Sequence, residues 1–535
     1  MAAKSQTVED VDVVVVGAGF AGMYLLVRLR AAGMTAVAVE AGDGVGGTWY
    51  WNRYPGARCD VESLQYSYQF DDDLQQEWSW SERFSAQPEI LEYANHVADR
   101  HDLRRDIRFN WRVKSAAYAE DSATWLLTAE DGRRVRGRFC VMATGCLSVP
   151  NWPDIDGIDD FSGPTFHTAL WPHDKVDFTG KRVAVIGTGS SAVQSLPHIA
   201  GEADQVTVFQ RTANYSIPAH NGPLDKDREA MFKADYPGFR ARAKQTVTGI
   251  HAEYGQTALA TSDPDAYRAM LEKRWQEGGL TFLADFNDVL LDSAANERAA
   301  EFVRDKIRAV VKDPATAEIL CPKNIIGGKR LCLDTRYFET YNRDNVRLID
   351  IKATPIERVT ETGVRVDGTL HEVDMLVVAT GFDAMTGALR NIDIRGVGAA
   401  SLADRWADGP SSYLGLAMAD FPNLFTVTGP GSPSVLTNML PTIEQHVEWI
   451  TDCIGYMSAR NYTRIEATQA AEQDWWDHVQ DAAQVGLKAT TDSWYVGANI
   501  TGKKRVFMPY LGGFPAYCQK CADVAGADYA GFAFA

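Results

Sequence analysis

Twice in this chain an apolar run ends in a glycine turn and continues as a helical pattern, and nothing else in the sequence restricts the fold as tightly. Val11–Val16 leads into Gly17-Ala18-Gly19-Phe20-Ala21-Gly22. Met23, Leu25, Leu26 and Leu29 then recur at helical spacing, and Ala36–Glu40 reads as the next strand. Arg182–Ile186 leads into Gly187-Thr188-Gly189-Ser190-Ser191-Ala192, with a helix expected from Val193 and a strand at Val206–Phe209. In each unit the first glycine permits the tight turn and the second lets the backbone approach a pyrophosphate. The small third residue lets helix and strand pack closely. The helix N-terminus then offers free N–H groups to phosphate oxygens. The spacing predicts two dinucleotide-binding folds in one chain.

The two units differ where they would meet a ribose. The first ends its second strand in Glu40, 18 residues after Gly22; the second ends in Gln210-Arg211-Thr212. A carboxylate accepts from a ribose diol and repels a 2′-phosphate, whereas a guanidinium pairs with one. The first site therefore suits FAD or NAD and the second NADP, with Thr188 to Gln194 lining the pyrophosphate turn. Two such sites imply electron transfer between two cofactors.

Two further strands, Phe139–Ala143 and Met375–Ala379, both end in Ala-Thr-Gly and mark junctions near residues 150 and 385. The expected class is α/β with two Rossmann-like domains. Residues 1–150 and 385–535 form an FAD domain, 151–222 and 321–384 an NADPH domain, and 223–320 a helical insertion in the latter. Lys+Arg number 53 against Asp+Glu 71, a net charge of −18, so a polyphosphate backbone would be repelled. Nucleic acid is not the expected partner. The apolar run at Val13–Val27 is too short to span a bilayer and is broken by glycines, so no membrane partner is expected either. Residues 1–10 carry Lys4, Glu9 and Asp10 and no apolar leader core, and eight cysteines are sparse for 535 residues, which suits a cytoplasmic protein. Cys518 and Cys521 form one CxxC without further ligands at metal spacing. They read as surface thiols, and no metal is expected.

Phe161-Ser-Gly163-Pro-Thr-Phe-His167-Thr-Ala-Leu-Trp171-Pro172 lies between the two glycine turns and matches FxGxxxHxxxWP. This pattern resembles the fingerprint of Baeyer–Villiger monooxygenases, and the resemblance covers nearly the whole chain. Gly46–Asp60 looks like the family's flavin-proximal stretch, and Lys329-Arg330 with Asp334 and Tyr341–Val346 like its arginine-bearing segment. Trp494, Gly497–Ile500 and Leu511–Gly513 resemble its C-terminal cofactor cover. Gly429–Met439 is most similar to its phenylacetone and steroid monooxygenase members.

The resemblance implies oxygen insertion beside a ketone carbonyl, giving an ester or lactone through a C4a-peroxyflavin and a Criegee-type adduct, with sulfoxidation as a side activity. It implies FAD and NADPH as cofactors, a hydrophobic ketone and O₂ as partners, and a monomer. Arg330 would stabilise developing negative charge, since a guanidinium stays protonated and offers planar donors, and Asp60 would orient it. Flavin contacts would be Gly47, Thr48, Trp49, Trp51, Asp60, Tyr66 and Met439 beside the first glycine turn. NADP contacts would add Arg58, Lys329, Arg330 and Trp494 to Arg211 and Thr212. Ser434, Val435, Leu436, Met439 and Phe507 would line the substrate pocket. Phe161, Gly163, His167, Trp171 and Pro172 would act as a hinge. Three rivals share parts of this pattern. An N- or S-oxygenating flavoprotein would carry Tyr or Phe at Trp171, and a disulfide reductase needs a cysteine pair at the flavin, which Cys59 lacks. A non-enzymatic NADPH sensor would bind NADPH without flavin.

Overall fold

The computed structural model describes residues 8–535, so the reading of residues 1–10 as leader-free rests mainly on residues outside that range. Two sheets organise the chain. The first has eight strands in the order 393–395, 113–119, 124–129, 134–142, 9–16, 36–39 and 107–108, with 424–426 joining the far end of 134–142. Glu9–Val16 and Arg134–Met142 form its parallel centre. The outer edge of Arg134–Met142 is shared: its first half pairs antiparallel with Thr124–Ala129, its last three residues parallel with Leu424–Thr426. The second sheet is wholly parallel, in the order 346–350, 205–210, 182–186, 375–378 and 165–167.

Strand periodicity explains how each sheet is sandwiched. Val13 and Val15 are buried with the helix Phe20–Ala31, while Val14 and Val16 are buried on the opposite face with Trp125 and Trp406. Val183 and Val185 likewise face the helix Ser190–Glu202, and Ala184 and Ile186 face an apolar layer from 356–373. Such two-sided burial is what apolar runs in parallel strands require.

Element bounds differ from the sequence reading in small ways. The second glycine-turn helix begins at Ser190 rather than Val193, because the Val193 N–H already bonds the Gly189 carbonyl (3.0 Å). The segment Ile356–Glu372 forms an unforeseen three-stranded antiparallel meander. Residues 226–320 carry five α-helices, and each is capped by an aspartate: Asp225, Asp235, Asp263, Asp292 and Asp313. The long helix Met439–Ala459 lies on Phe20–Ala31, fixed by Tyr24 Oη donating to Glu448 and Arg28 pairing with Asp452 (2.7 Å).

The chain crosses between the sheets twice, and the two crossings lie side by side. The Asn151 N–H donates to the Gly381 carbonyl, the Asp383 N–H to Val149 and the Met385 N–H to Cys146, all at 2.9 Å. Thr380 Oγ1 donates to the Asn151 carbonyl (2.5 Å). No helix among the described residues is long and apolar enough to cross a membrane.

Candidate active site

The two glycine turns are built alike. Gly17 and Gly187 both sit at φ +107, and a Cβ on either would strike a carbonyl oxygen at 2.6 Å, that of Ala143 or Ala379. Each Ala-Thr-Gly strand end therefore packs on a glycine turn, and only glycine fits beneath it. The helices that follow have Gly19 and Gly189 at their N-caps, no capping side chain and no acid in the first turn. This contrasts with the five aspartate caps of the insertion, and it leaves the first N–H groups of these two helices for an anion. A Cβ on Gly189 would meet nothing within 4 Å, and one on Gly19 would meet only the Gly47 backbone. Both turns thus hold open cradles that fit a dinucleotide pyrophosphate.

Glu40 is buried, and its carboxylate accepts from the N–H groups of Ala18 and Gly42 (both 2.8 Å), which fixes it at the first turn. Gly46 and Gly47 pass over that turn; Gly46 N–H bonds the Ala18 carbonyl and Gly47 has φ +54. The short helix Thr48–Trp51 follows. Trp49 donates to Tyr66 Oη (3.1 Å), and Tyr66 meets Phe20 edge-on at 6.0 Å. The Trp51 ring lies beneath the Arg112 guanidinium, 5.9 Å from its centre.

Arg330 and Asp60 meet in a two-point ion pair, Nε–Oδ2 2.5 Å and Nη2–Oδ1 2.9 Å, and Nη1 donates to the Val435 carbonyl (2.8 Å). Three of the five guanidinium N–H groups are committed, and two remain. With a quarter of its side chain accessible, Arg330 can present them to a ligand. Burial works against its charge, but the Asp60 carboxylate outweighs burial and drives its pKa up. Arg330 precedes the short strand Cys332–Asp334.

On the second turn, Thr188 Oγ1 donates to the Thr212 carbonyl and Asn214 Nδ2 to the Thr188 carbonyl. Arg211 is exposed. Burial lowers the pKa of Lys329, and the nearby Arg211 charge lowers it further. Two neighbouring cations fit a 2′-phosphate. Thr491 Oγ1, which lies against Gly328, is buried without a partner and offers a further donor beside Lys329; Ser493 Oγ is likewise buried without a partner. Arg58 is engaged elsewhere: its guanidinium pairs with Glu82 (2.9 Å) and the Phe84 carbonyl, while its own carbonyl accepts from Gln194 Nε2. Tyr54 Oη donates to Gln194 Oε1 (2.8 Å), so the Tyr54–Arg58 turn docks on the second nucleotide helix.

Val435, Leu436, Met439, Trp494 and Phe507 gather into one apolar cluster with Tyr495 and Met385. Leu436 and Met439 keep accessible surface. Ser434 does not line a pocket as expected: at φ +43 it has no accessible surface, and its hydroxyl turns to the Met385 sulfur (3.7 Å). The surface-thiol reading of the CxxC also needs correction. Tyr517, Cys521 and Val524 share the core face of the helix Phe514–Gly526, so Cys521 is fully buried and only Cys518 keeps accessible surface. All eight cysteines are unpaired.

The fingerprint forms an edge strand, Thr165–His167, beside Met375–Val378. Gly163 passes under the Asp374 carbonyl, where a Cβ would clash at 2.4 Å. His167 Nδ1 accepts from the Ala169 N–H (3.0 Å), which leaves the proton on Nε2, facing the Asn151 carbonyl (3.4 Å); burial lowers its pKa. Trp171 is buried beside Phe166 and Phe178. Phe161 packs on the opposite face of the sheet, and Pro172 follows Trp171 with part of its surface accessible.

Residues that pattern alone did not disclose tie these parts together. The Gln65 carbonyl accepts from Asn438 Nδ2 (2.8 Å) and from the buried Arg240 of the insertion (3.1 Å), so one carbonyl joins the Tyr66 loop, the Met439 helix and the insertion.

Residues 14–263 match the pyridine nucleotide-disulphide oxidoreductase family. The chain is 41% identical to a Baeyer-Villiger monooxygenase of Pseudooceanicola batsensis, over 97% of this chain and 95% of the relative. It is also 41% identical to the acetone monooxygenase (methyl acetate-forming) of Gordonia sp., over 98% of each. Its backbone superposes on the NADP-bound oxidized steroid monooxygenase with a TM-score of 0.93, at 51% identity over 98% of this chain and 99% of that one. A relative at 40% identity, over 97% of this chain and 96% of its own length, is the phenazine N-monooxygenase of Lysobacter antibioticus. Fold and site together define a flavoprotein monooxygenase that uses FAD and NADPH. Within that class the chain belongs to the Baeyer–Villiger monooxygenase family.

Proposed function

We propose that this protein converts a hydrophobic ketone to the ester or lactone, consuming one O₂ and one NADPH with a proton and releasing NADP⁺ and water. The observation that carries the reading is the Arg330–Asp60 clamp, which leaves two guanidinium N–H groups free beside the apolar wall of Leu436 and Met439. The first nucleotide domain, residues 1–150 and 385–535, would hold FAD through Gly17–Gly22, Glu40 and Gly47–Trp49. The second, residues 151–222 and 321–384, would hold NADPH through Gly187–Gln194, Arg211, Thr212 and Lys329. When bound, FAD supplies hydride acceptance and oxygen activation, the redox chemistry no side chain here provides.

The chain's own residues position and stabilise. Arg330 places fixed positive charge where the carbonyl oxygen gains negative charge, and it needs no reorganisation because Asp60 and the Val435 carbonyl already hold it. Trp494, tilted against Tyr495 with ring centres 4.3 Å apart, would cover the nicotinamide nucleotide and keep water out. Sulfides are the expected side substrates. A cytoplasmic location fits eight unpaired thiols, and light scattering on a sizing column tests the expected monomer.

The test is NADPH consumption by the flavin-loaded enzyme across a ketone panel, with product masses recorded. One added oxygen atom per NADPH, on a ketone, is the expected result. Oxygen transfer to amines or sulfides with no ketone turned over would overturn the reading.

A further inference from the structure

Lys488 stands in the short 3-10 helix Leu487–Thr490, which the Leu487 N–H anchors to the Leu290 carbonyl of the insertion (2.8 Å). Its neighbour Ala489 belongs to the apolar cluster of Val435, Met439, Trp494 and Phe507. The Lys488 ammonium lies 5.5 Å from the centre of the Tyr495 ring, and its charged neighbour is Arg330. Among the described residues no carboxylate compensates it. Lys503 pairs with Asp383 (2.5 Å), Arg240 donates to the Gln65 carbonyl, Ser67 and Gln75, and Lys329, which has no ion pair either, has the Asp492 charge acting in its favour. Arg330 has Asp60. Lys488 sits beside that apolar cluster with part of its surface accessible and no carboxylate paired to it among the described residues. Burial presses its pKa down to about 8, and the Arg330 charge presses in the same direction. Such an arrangement is costly until an anion arrives.

We propose that Lys488 is a specificity-determining residue whose ammonium receives a carboxylate carried by the ketone, so that oxo acids are preferred over neutral ketones. The inference rests on the oxygenation reading above. Within it, Arg330 serves the reacting carbonyl and Lys488 a carboxylate at the far end of the same molecule, with Tyr495 beside both. The NADP 2′-phosphate is a poorer match, because it falls to Lys329 and Arg211, and the charge that acts on Lys488 is Arg330's. The carboxylate also restores the counter-charge that the folded chain withholds, so binding favours the protonated ammonium.

The probes are phenylacetone and its ring carboxylate, 4-(2-oxopropyl)benzoic acid. Turnover is measured with the flavin-loaded enzyme and NADPH, and binding to the NADP⁺-loaded enzyme is followed by flavin absorbance. Wild type should favour the acid. Lys488→Met should lose about 10–100-fold in kcat/KM for the acid, through KM, and stay within about twofold for phenylacetone. Lys488→Arg should restore most of the loss. Equal loss on both ketones, no preference in wild type, or a raised KM for NADPH would each overturn the proposal. The binding arm separates it from the oxygenation reading. Carboxylate binding that depends on Lys488, with no oxygenated product, keeps the inference and removes the reaction. Ketone oxygenation without a carboxylate preference does the reverse.

Discussion

A guanidinium held at three points and free at two is a different tool from an ammonium on a mobile stem. Arg330 is such a group, and its removal separates two half-reactions. Arg330→Ala should leave flavin reduction by NADPH near the wild-type rate and slow ketone oxygenation by about 10²–10³-fold, the usual cost of one oxyanion donor. Stopped-flow traces of each half-reaction check this, and normal oxygenation would show the ion pair to be structural. Arg211→Ala should raise KM for NADPH by about 10–150-fold, the range of a charge-assisted phosphate contact of ~1.5–3 kcal/mol, with little change for NADH. Glu444 yields a stability test. Burial raises its pKa to about 7, against the N–H of Gln69 donating to Oε1 (2.6 Å). The folded protein therefore holds a proton that the unfolded chain releases near pH 4.5. The stability attached to that proton is complete at lower pH and declines as pH rises toward 7. Glu444→Gln should melt progressively higher than wild type between pH 5 and pH 8, and a pH-independent difference would refute the assignment.

At the scale of elements, the two glycine turns make opposite demands on their glycines. Gly187 is required by the fold, since φ +107 and the Ala379 carbonyl leave no room for a Cβ; Gly189 is open to the ligand. Gly187→Ala should lower the melting temperature. Gly189→Ala should leave it unchanged while weakening NADPH binding, and a titration beside a melt distinguishes the two. These turns were legible because a local motif sets their whole geometry. The Arg330 segment and the apolar wall were legible only through resemblance, because Arg330 and Asp60 are joined across 270 positions. The meander at 356–372 did carry a signal, Asp367-Gly368, whose φ values of +49 and +68 are those of a tight hairpin. Cys521 was misplaced because the CxxC was read apart from its helix, whose Tyr517 and Val524 fix the buried face. Gln65, Asn438 and Lys488 had no local pattern to give them away. Their roles come from partners far along the chain.

At the scale of the molecule, the helical insertion acts on the flavin side although it departs from the second nucleotide domain. Arg240 reaches the Gln65 carbonyl and Ser67, and the Gln65 side chain accepts from the His251 N–H (2.7 Å). The paired crossings near residues 150 and 381 are the other junction. Asn151→Ala, which removes donors to the Asn499 carbonyl (3.1 Å) and the Thr380 carbonyl (3.4 Å), should at least double the share of NADPH lost as H₂O₂ while shifting the melting temperature little. An unchanged peroxide yield would show that the crossings are simple connections.

Those crossings also determine how the halves can travel. One strap would leave a swivel, free to twist and tilt in any direction. Two straps laced together by Asn151, Thr380 and Asp383 resist twist between the sheets in a way that one strap would not, and a bend across the laced pair is the softer motion left to them.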